Sequence, residues 1–126
     1  MKITELMIGD WVYNSYHKQN IQWWYSDMFC PNGLIVTGRD IKPIPLTPEI
    51  LKKNGFKDAE YWREYKDDKV IIQCRLPIVR GRINEIVFEN FKCEYVHQYQ
   101  HLLRLCGLNE LADNFKVQKN DTRFNN

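Results

Sequence analysis

The sequence predicts an α+β protein with a β-rich N-terminal region, a short linking helix, and an antiparallel sheet packed by a C-terminal helix. Short aromatic-rich segments between turn signals predict the strands. Capping signals and apolar residues at helical spacing predict the two helices. The length of 126 residues suits one domain, and 44% apolar with 27% charged residues is a globular composition that excludes a largely disordered chain.

The N-terminal β-rich region is expected to span residues 1–46. Gly9-Asp10 is a turn signal, and the aromatic and β-branched residues that follow it favour a strand. Pro43 and Pro45 cannot donate to a central ladder, so their segment is expected at an edge. The predicted strands are Trp11–Tyr13, Ile21–Ser26, Leu34–Thr37 and Asp40–Leu46. We predict that they form a small SH3-like barrel or a curled meander.

A short helix is predicted directly after this region. Thr47 can cap it through its hydroxyl, and Pro48 suits the first helical position, where a missing N–H costs nothing. Gly55 supplies the left-handed residue at which such a helix ends. The helix is therefore expected to have about two turns.

The second region is expected to span residues 47–116 and to add an antiparallel sheet and a closing helix. The segments predicted to form its strands are Glu60–Lys66, Lys69–Leu76 and Ile83–Phe91, the last two joined by a loop over Pro77–Arg82. The closing helix is expected from about Glu94 to Cys106, with Gly107 as its cap. Residues 117–126 are polar and expected to fray. The two regions form either two lobes or one compact unit.

His97 and His101 stand four residues apart in the closing helix, as the ligands of a zinc site often do. The peptidase motif H-E-x-x-H needs a carboxylate after the first histidine, and Gln98 is an amide that cannot act as the base. A helical wheel places both histidines opposite the apolar stripe of Val96, Tyr99, Leu102, Leu103 and Cys106, so we expect them to point away from the core. A metal site at His97 and His101 is the weaker alternative.

No other motif predicts catalysis. The sequence lacks G-x-G-x-x-G, G-x-x-x-x-G-K-[ST] and G-x-S-x-G. We therefore expect no enzymatic activity and no cofactor, and a metal-dependent hydrolase is only the third interpretation.

Charge and cysteine usage bear on partners and location. The formal net charge is +2, and residues 1–46 carry equal numbers of acidic and basic side chains. No apolar run has the length of a signal peptide or approaches the ~20 residues of a membrane span. The four cysteines show no C-x-x-C pair and suit free thiols in a reducing compartment. We expect a cytoplasmic protein without a membrane partner.

An aromatic cluster suggests the binding surface. Its members are Trp11, Trp23, Trp24 and Tyr25. Neighbouring strand residues point to opposite faces, so one of Trp23 and Trp24 is expected to face solvent, where it could stack on a base or hold a peptide. Arg104, on the polar side of the closing helix, is a further candidate. The leading interpretation is a non-enzymatic binding module with a protein or peptide partner.

The alternative is a nucleic-acid-binding module. The observation that would favour it is a basic stripe assembled from four arginines, namely Arg75, Arg80, Arg82 and Arg104.

Three motifs carry a resemblance: "IGDWV" from Ile8, "DIKPIPLTPEILKKNGF" from Asp40, and "YVHQYQHLLRLCGL" from Tyr95. Together they make the chain resemble a family of small uncharacterised proteins of Bacteroidetes, often found in prophages and mobile elements. The resemblance implies a cytoplasmic protein of a gut-type bacterium or its phage, and with it the leading interpretation becomes a binding or accessory module of a mobile element. It implies no catalytic residue and no cofactor.

Overall fold

A computed structural model describes residues 5–15, 18–23 and 41–118, and the chain divides into two compact units. Unit 1 combines Met1–Ile44 with Tyr95–Asn126, and unit 2 is Pro45–Glu94. The mixed α+β class is confirmed, with two antiparallel sheets and short helices. The described residues contain no closed barrel, so the SH3-like closure stays a prediction.

Unit 1 holds a three-stranded antiparallel sheet of order β2-β1-β3. Its strands are β1 Trp11–Asn14, β2 Gln19–Gln22 and β3 Ile41–Lys42. A cluster of buried side chains, Val12, Ile21, Trp23 and Ile41, packs beside it. The predicted strand from Leu34 lies outside the described residues, as do Trp24 and Tyr25.

Two helices complete unit 1, α2 Val96–Leu105 and α3 Asn109–Asp113. Four of the five residues of the predicted apolar stripe, Val96, Tyr99, Leu102 and Leu103, are buried, whereas Cys106 is only partly buried. The helix α2 begins two residues later than predicted, with Tyr95 as its N-cap. Gly107 follows the helix with φ +81°, as expected of a C-terminal glycine.

Unit 2 opens with the predicted short helix, α1 Pro48–Lys53. The Ile50 N–H donates to Thr47 Oγ1 at 3.3 Å, and Gly55 has φ +90°. These contacts confirm both ends of the predicted helix.

The rest of unit 2 is a five-stranded antiparallel sheet in which every strand pairs with its neighbour in the chain. Its strands are β4 Lys57–Asp58, β5 Arg63–Asp67, β6 Val70–Arg75, β7 Ile78–Ile83 and β8 Ile86–Lys92. Two predictions are wrong here. The expected loop Pro77–Arg82 is mostly strand β7, and the expected strand Ile83–Phe91 is broken by a turn at Asn84-Glu85, where Asn84 has φ +56°. Asparagine tolerates this left-handed conformation, and strand alternation concealed it.

The backbone leaves unit 1 after Ile44 and returns to it at Tyr95, and hydrogen bonds join the residues next to these two points. Within unit 1, Val96 N–H donates to the Ile44 carbonyl at 2.8 Å, and within unit 2, Leu46 N–H donates to the Glu94 carbonyl at 3.0 Å. In each unit, one backbone hydrogen bond therefore joins the two chain segments that lead to the other unit. Among the described residues, no helix is long and apolar enough to cross a membrane.

Candidate functional site

The turn before β1 places a carboxylate inside unit 1. Gly9 has φ +96°, and a Cβ there would lie 2.7 Å from Asp113 Oδ1 and 2.8 Å from Arg104 Nη2. A side chain at this position would be strained at that φ and would displace the ends of the Asp113 and Arg104 side chains. Asp10 follows, and its side chain is fully buried. The turn is held from within, because the Met7 N–H donates to Asp10 Oδ2 at 2.8 Å and the Asp10 N–H to the Met7 carbonyl at 3.0 Å.

Two side chains of α2, a histidine and an arginine, contact the Asp10 carboxylate. His101 Nε2 lies 2.6 Å from Asp10 Oδ2, and Arg104 Nη1 donates to Asp10 Oδ1 at 2.5 Å. Arg104 also reaches Asp113 Oδ1 at 3.2 Å through Nη2. Both carboxylate oxygens of Asp10 are therefore occupied, and Arg104 is held by two carboxylates rather than presented to a ligand.

Gln100 fastens the same turn to both helices of unit 1. It is fully buried, and its Oε1 accepts from the Trp11 N–H at 2.8 Å. Its Nε2 donates to the carbonyls of Gly9 and Ala112, each at 2.9 Å. One amide thus joins the segment before β1 to α2 and α3.

The expectation that the polar side of α2 faces away from the core is wrong. His97 is 6% exposed and Gln100 0%. The helix is covered on both sides, because the segment Met7–Trp11 packs against the side opposite the apolar stripe. Sequence alone could not show this, since Asp10 lies 91 residues before His101.

His97 lies next to this cluster without joining it. Its ring stacks on Tyr95 at 6.1 Å between centroids and meets the His101 ring edge-on at 5.6 Å. Within the described ranges, His97 Nδ1 is buried and has no hydrogen-bond partner. Burial lowers the pKa of His97, and the Asp10 carboxylate opposes that shift only in part.

The lowered pKa of His97 predicts a loss of stability in acid. Because the unfolded chain takes up a proton near the ordinary pKa of 6.5 and the folded chain resists it, the free energy of unfolding is expected to fall as pH drops below 6.5. Urea melts at pH 8, 6.5 and 5 measure this. His97→Phe keeps a ring without the titration and should show a smaller fall, and an equal fall in both proteins would assign the effect to other groups.

The residues proposed for a metal do not assemble a site. Cys93, the cysteine nearest to them in the sequence, precedes α2 and is not part of the helix. Among residues 5–15, 18–23 and 41–118, no group of three histidine, cysteine or acidic side chains is placed to hold an ion. Burial raises the pKa of the thiols of Cys74 and Cys93 to about 12, so both stay protonated at neutral pH.

The aromatic cluster of the sequence is partly buried. Trp23 is 0% exposed, and Trp11 is half-buried with its Nε1 donating to the Phe115 carbonyl at 2.6 Å. Trp23 is therefore the inward member of its pair and cannot stack on a ligand here. The candidates Trp24 and Tyr25 lie outside the described residues.

The sheet of unit 2 instead carries an exposed basic surface. Pairing across the strands puts Ile72, Cys74 and Val79 on the buried side. The paired residues on the other side form three rows across the sheet, which we call the basic face. The rows are Lys57, Glu64, Gln73 and Arg80; Lys66, Ile71, Arg82 and Val87; and Arg75, Ile78 and Lys92. Six of these residues are basic and Glu64 is the one acid among them.

Arg80 is held in place at the centre of the basic face. Its guanidinium lies 3.8 Å above the centroid of the Trp62 ring. Its Nε donates to Gln73 Oε1 at 2.8 Å, and Gln73 Nε2 donates to Glu64 Oε2 at 2.8 Å. The stacked guanidinium keeps its remaining donors for other partners.

The predicted arginine stripe is met in part. Arg75, Arg80 and Arg82 share the basic face and are exposed, whereas Arg104 belongs to unit 1 and is bound to Asp10. The two-residue alternation of Arg80 and Arg82 was the available signal. The sequence analysis named these arginines but could not assign them to one face, because their segment was expected to be a loop.

No protein-family model, no curated protein and no solved structure matches this chain. The resemblance to Bacteroidetes mobile-element proteins therefore stays a prediction, and the site rests on its geometry.

Proposed function

We propose that this protein acts by binding rather than by catalysis, and that it binds single-stranded nucleic acid on the basic face. The observation that carries the proposal is the exposed set of Arg75, Arg80 and Arg82 beside an arginine-stacked tryptophan. Nucleic-acid affinity comes largely from lysine and arginine contacts to phosphates. Stacking of bases on aromatic or guanidinium planes adds to it in single strands.

The three arginines lie one after another along the basic face. Arg80 and Arg82 are two residues apart on β7, about 7 Å along the strand. Arg75 is on the adjacent strand opposite Ile78, so it lies diagonally from Arg80 on the side away from Arg82. Side chains on one strand and one face point the same way. Arg75 and Arg82 form no ion pair with any residue in the part of the chain that the structure describes. Their charges are therefore available to an anion.

The acids of unit 2 are distributed over both sides of the sheet. Asp58 sits on the opposite side of the register and pairs with Lys52 and Arg63, each at 3.4 Å. Glu64 lies in the basic face, where its carboxylate accepts from Gln73 and so supports Arg80. Glu89, two residues after Val87 on β8, borders the same face, and Glu94 pairs with Lys92 at 2.9 Å. Arg75, Arg80 and Arg82 nevertheless form a local group of exposed cations that the net charge of +2 conceals.

The proposal predicts that Arg75→Ala/Arg82→Ala weakens binding to fluorescein-labelled U12 and dT12 oligonucleotides about tenfold or more near 0.1 M salt. Each phosphate contact in a single strand contributes about 0.7 to the slope of log affinity against log salt, so that slope should fall by about 1.4. Fluorescence anisotropy across a salt series measures both quantities.

Two variants sharpen the experiment. Lys52→Ala/Lys53→Ala removes the same charge from α1 and should leave affinity near that of the unchanged protein. Trp62→Ala should weaken binding by about 1 to 3 kcal/mol with little change in the salt slope, because it removes stacking rather than charge. Absent binding, or equal losses in the two charge variants, would contradict the proposal.

A further inference from the structure

An open cavity of about 630 Å³ lies at the end of the basic face, where the β5–β6 and β7–β8 turns meet. The two turns are joined by the Asn84 N–H, which donates to the Lys69 carbonyl at 2.8 Å. Ile71, on the basic face, and Ile86, whose strand partner Ile83 points to the other face, are its apolar lining residues. Its volume falls in the range of small-molecule sites.

Charged side chains of both signs line this cavity, and they include Asp67 at the end of β5, whose Oδ1 accepts from the Asp68 N–H at 2.7 Å. Lys66 and Arg82 lie on the side of the sheet, in the same row of the basic face on either side of Ile71. Asp68 and Glu85 lie beyond them in the two turns, with Lys69 and Asn84 beside them. In the described part of the chain, none of the side chains of Lys66, Arg82, Asp68 and Glu85 takes part in an ion pair. A ligand suited to this arrangement is anionic at one end and rich in N–H donors at the other.

We propose that this cavity is a base-reading subsite that prefers guanine, and the inference rests on the proposed binding of single-stranded nucleic acid to the basic face. Phosphates would contact Lys66 and Arg82, and the base would extend over Ile71 toward the turns. There its Watson–Crick edge would meet the carboxylates of Asp68 and Glu85, which accept but do not donate hydrogen bonds.

The donor pattern of guanine distinguishes it from the other bases. Its N1–H and N2–H₂ groups are adjacent, so one carboxylate can accept from both. Uracil places its single N–H between two carbonyl oxygens, which a carboxylate repels. Adenine and cytosine each present an amino group beside an acceptor nitrogen. Base edges in single strands are open to such contacts, and a good bidentate pair discriminates by about 1 to 3 kcal/mol.

Anisotropy with U12 and with the same RNA carrying one central guanine tests the subsite. The guanine probe is expected to bind about tenfold tighter. Inosine at that position, which lacks the N2 amino group, should lose most of the advantage. Asp68→Asn/Glu85→Gln should abolish the guanine preference without weakening U12 binding, whereas Glu60→Gln/Glu110→Gln, which changes two exposed carboxylates outside the cavity, should preserve it.

The outcomes separate the two proposals. Equal affinity for U12 and the guanine probe overturns the base-reading subsite and leaves binding on the basic face intact. A guanine preference that persists in Asp68→Asn/Glu85→Gln also overturns it. Failure of both RNAs to bind overturns the proposed function itself, and the subsite with it.

Discussion

Asp10→Ala is expected to lower the free energy of unfolding by about 3 to 5 kcal/mol, the cost of removing one partner from a buried charged pair. The carboxylate is fully buried, and its loss leaves Arg104 with a side chain that is only 10% exposed and one remaining partner, Asp113. The N–H of Met7 and Nε2 of His101 lose their acceptor as well. Urea denaturation followed by tryptophan fluorescence measures the loss.

Asp113→Ala is the matched control for this variant. It removes a carboxylate from the same arginine, but Asp113 is 47% exposed, and exposed ion pairs contribute about 1 kcal/mol or less. A loss from Asp10→Ala no greater than that from Asp113→Ala would mean that the network around Asp10 does not stabilise unit 1.

Leu103→Ala is expected to cost about 2 to 5 kcal/mol, because Leu103 is 0% exposed and its truncation leaves a cavity in the core of unit 1. Leu105→Ala makes the same chemical change two residues later in α2, at a side chain that is 77% exposed. It should change stability by no more than about 0.5 kcal/mol.

Urea melts of the two leucine variants compare these losses directly. Similar losses would show that the buried side of α2 is not the one formed by Val96, Tyr99, Leu102 and Leu103. A large loss from Leu105→Ala alone would reverse the assignment.

Local signals were sufficient to predict α1 and the apolar stripe of α2. A helix cap depends on residues within one turn, so Thr47, Pro48 and Gly55 carried all the information that α1 needs. The stripe likewise depends only on spacing along α2. The residues of α1 were predicted correctly, and so were four of the five residues of the stripe, Cys106 being only partly buried.

The candidate sites depend on partners far apart in the chain, which spacing does not reveal. No sequence feature near His101 indicates that the segment around Asp10 packs on the polar side of α2 and buries it. The basic face could not be predicted for another reason. Its residues fall on one side of the sheet only when β7 is recognised as a strand. Its arginines then fall on one side with Gln73 and Trp62.

The paired backbone hydrogen bonds at Ile44–Val96 and Leu46–Glu94 have a consequence for synthesis on the ribosome. Residues 45–94 are complete before α2 has been made, so the five-stranded sheet can form while Asp10 still lacks both His101 and Arg104. The Asp10 carboxylate therefore remains without its α2 partners until the last helices have been synthesised. Unit 1 is consequently expected to be the part of the chain that completes its folding last.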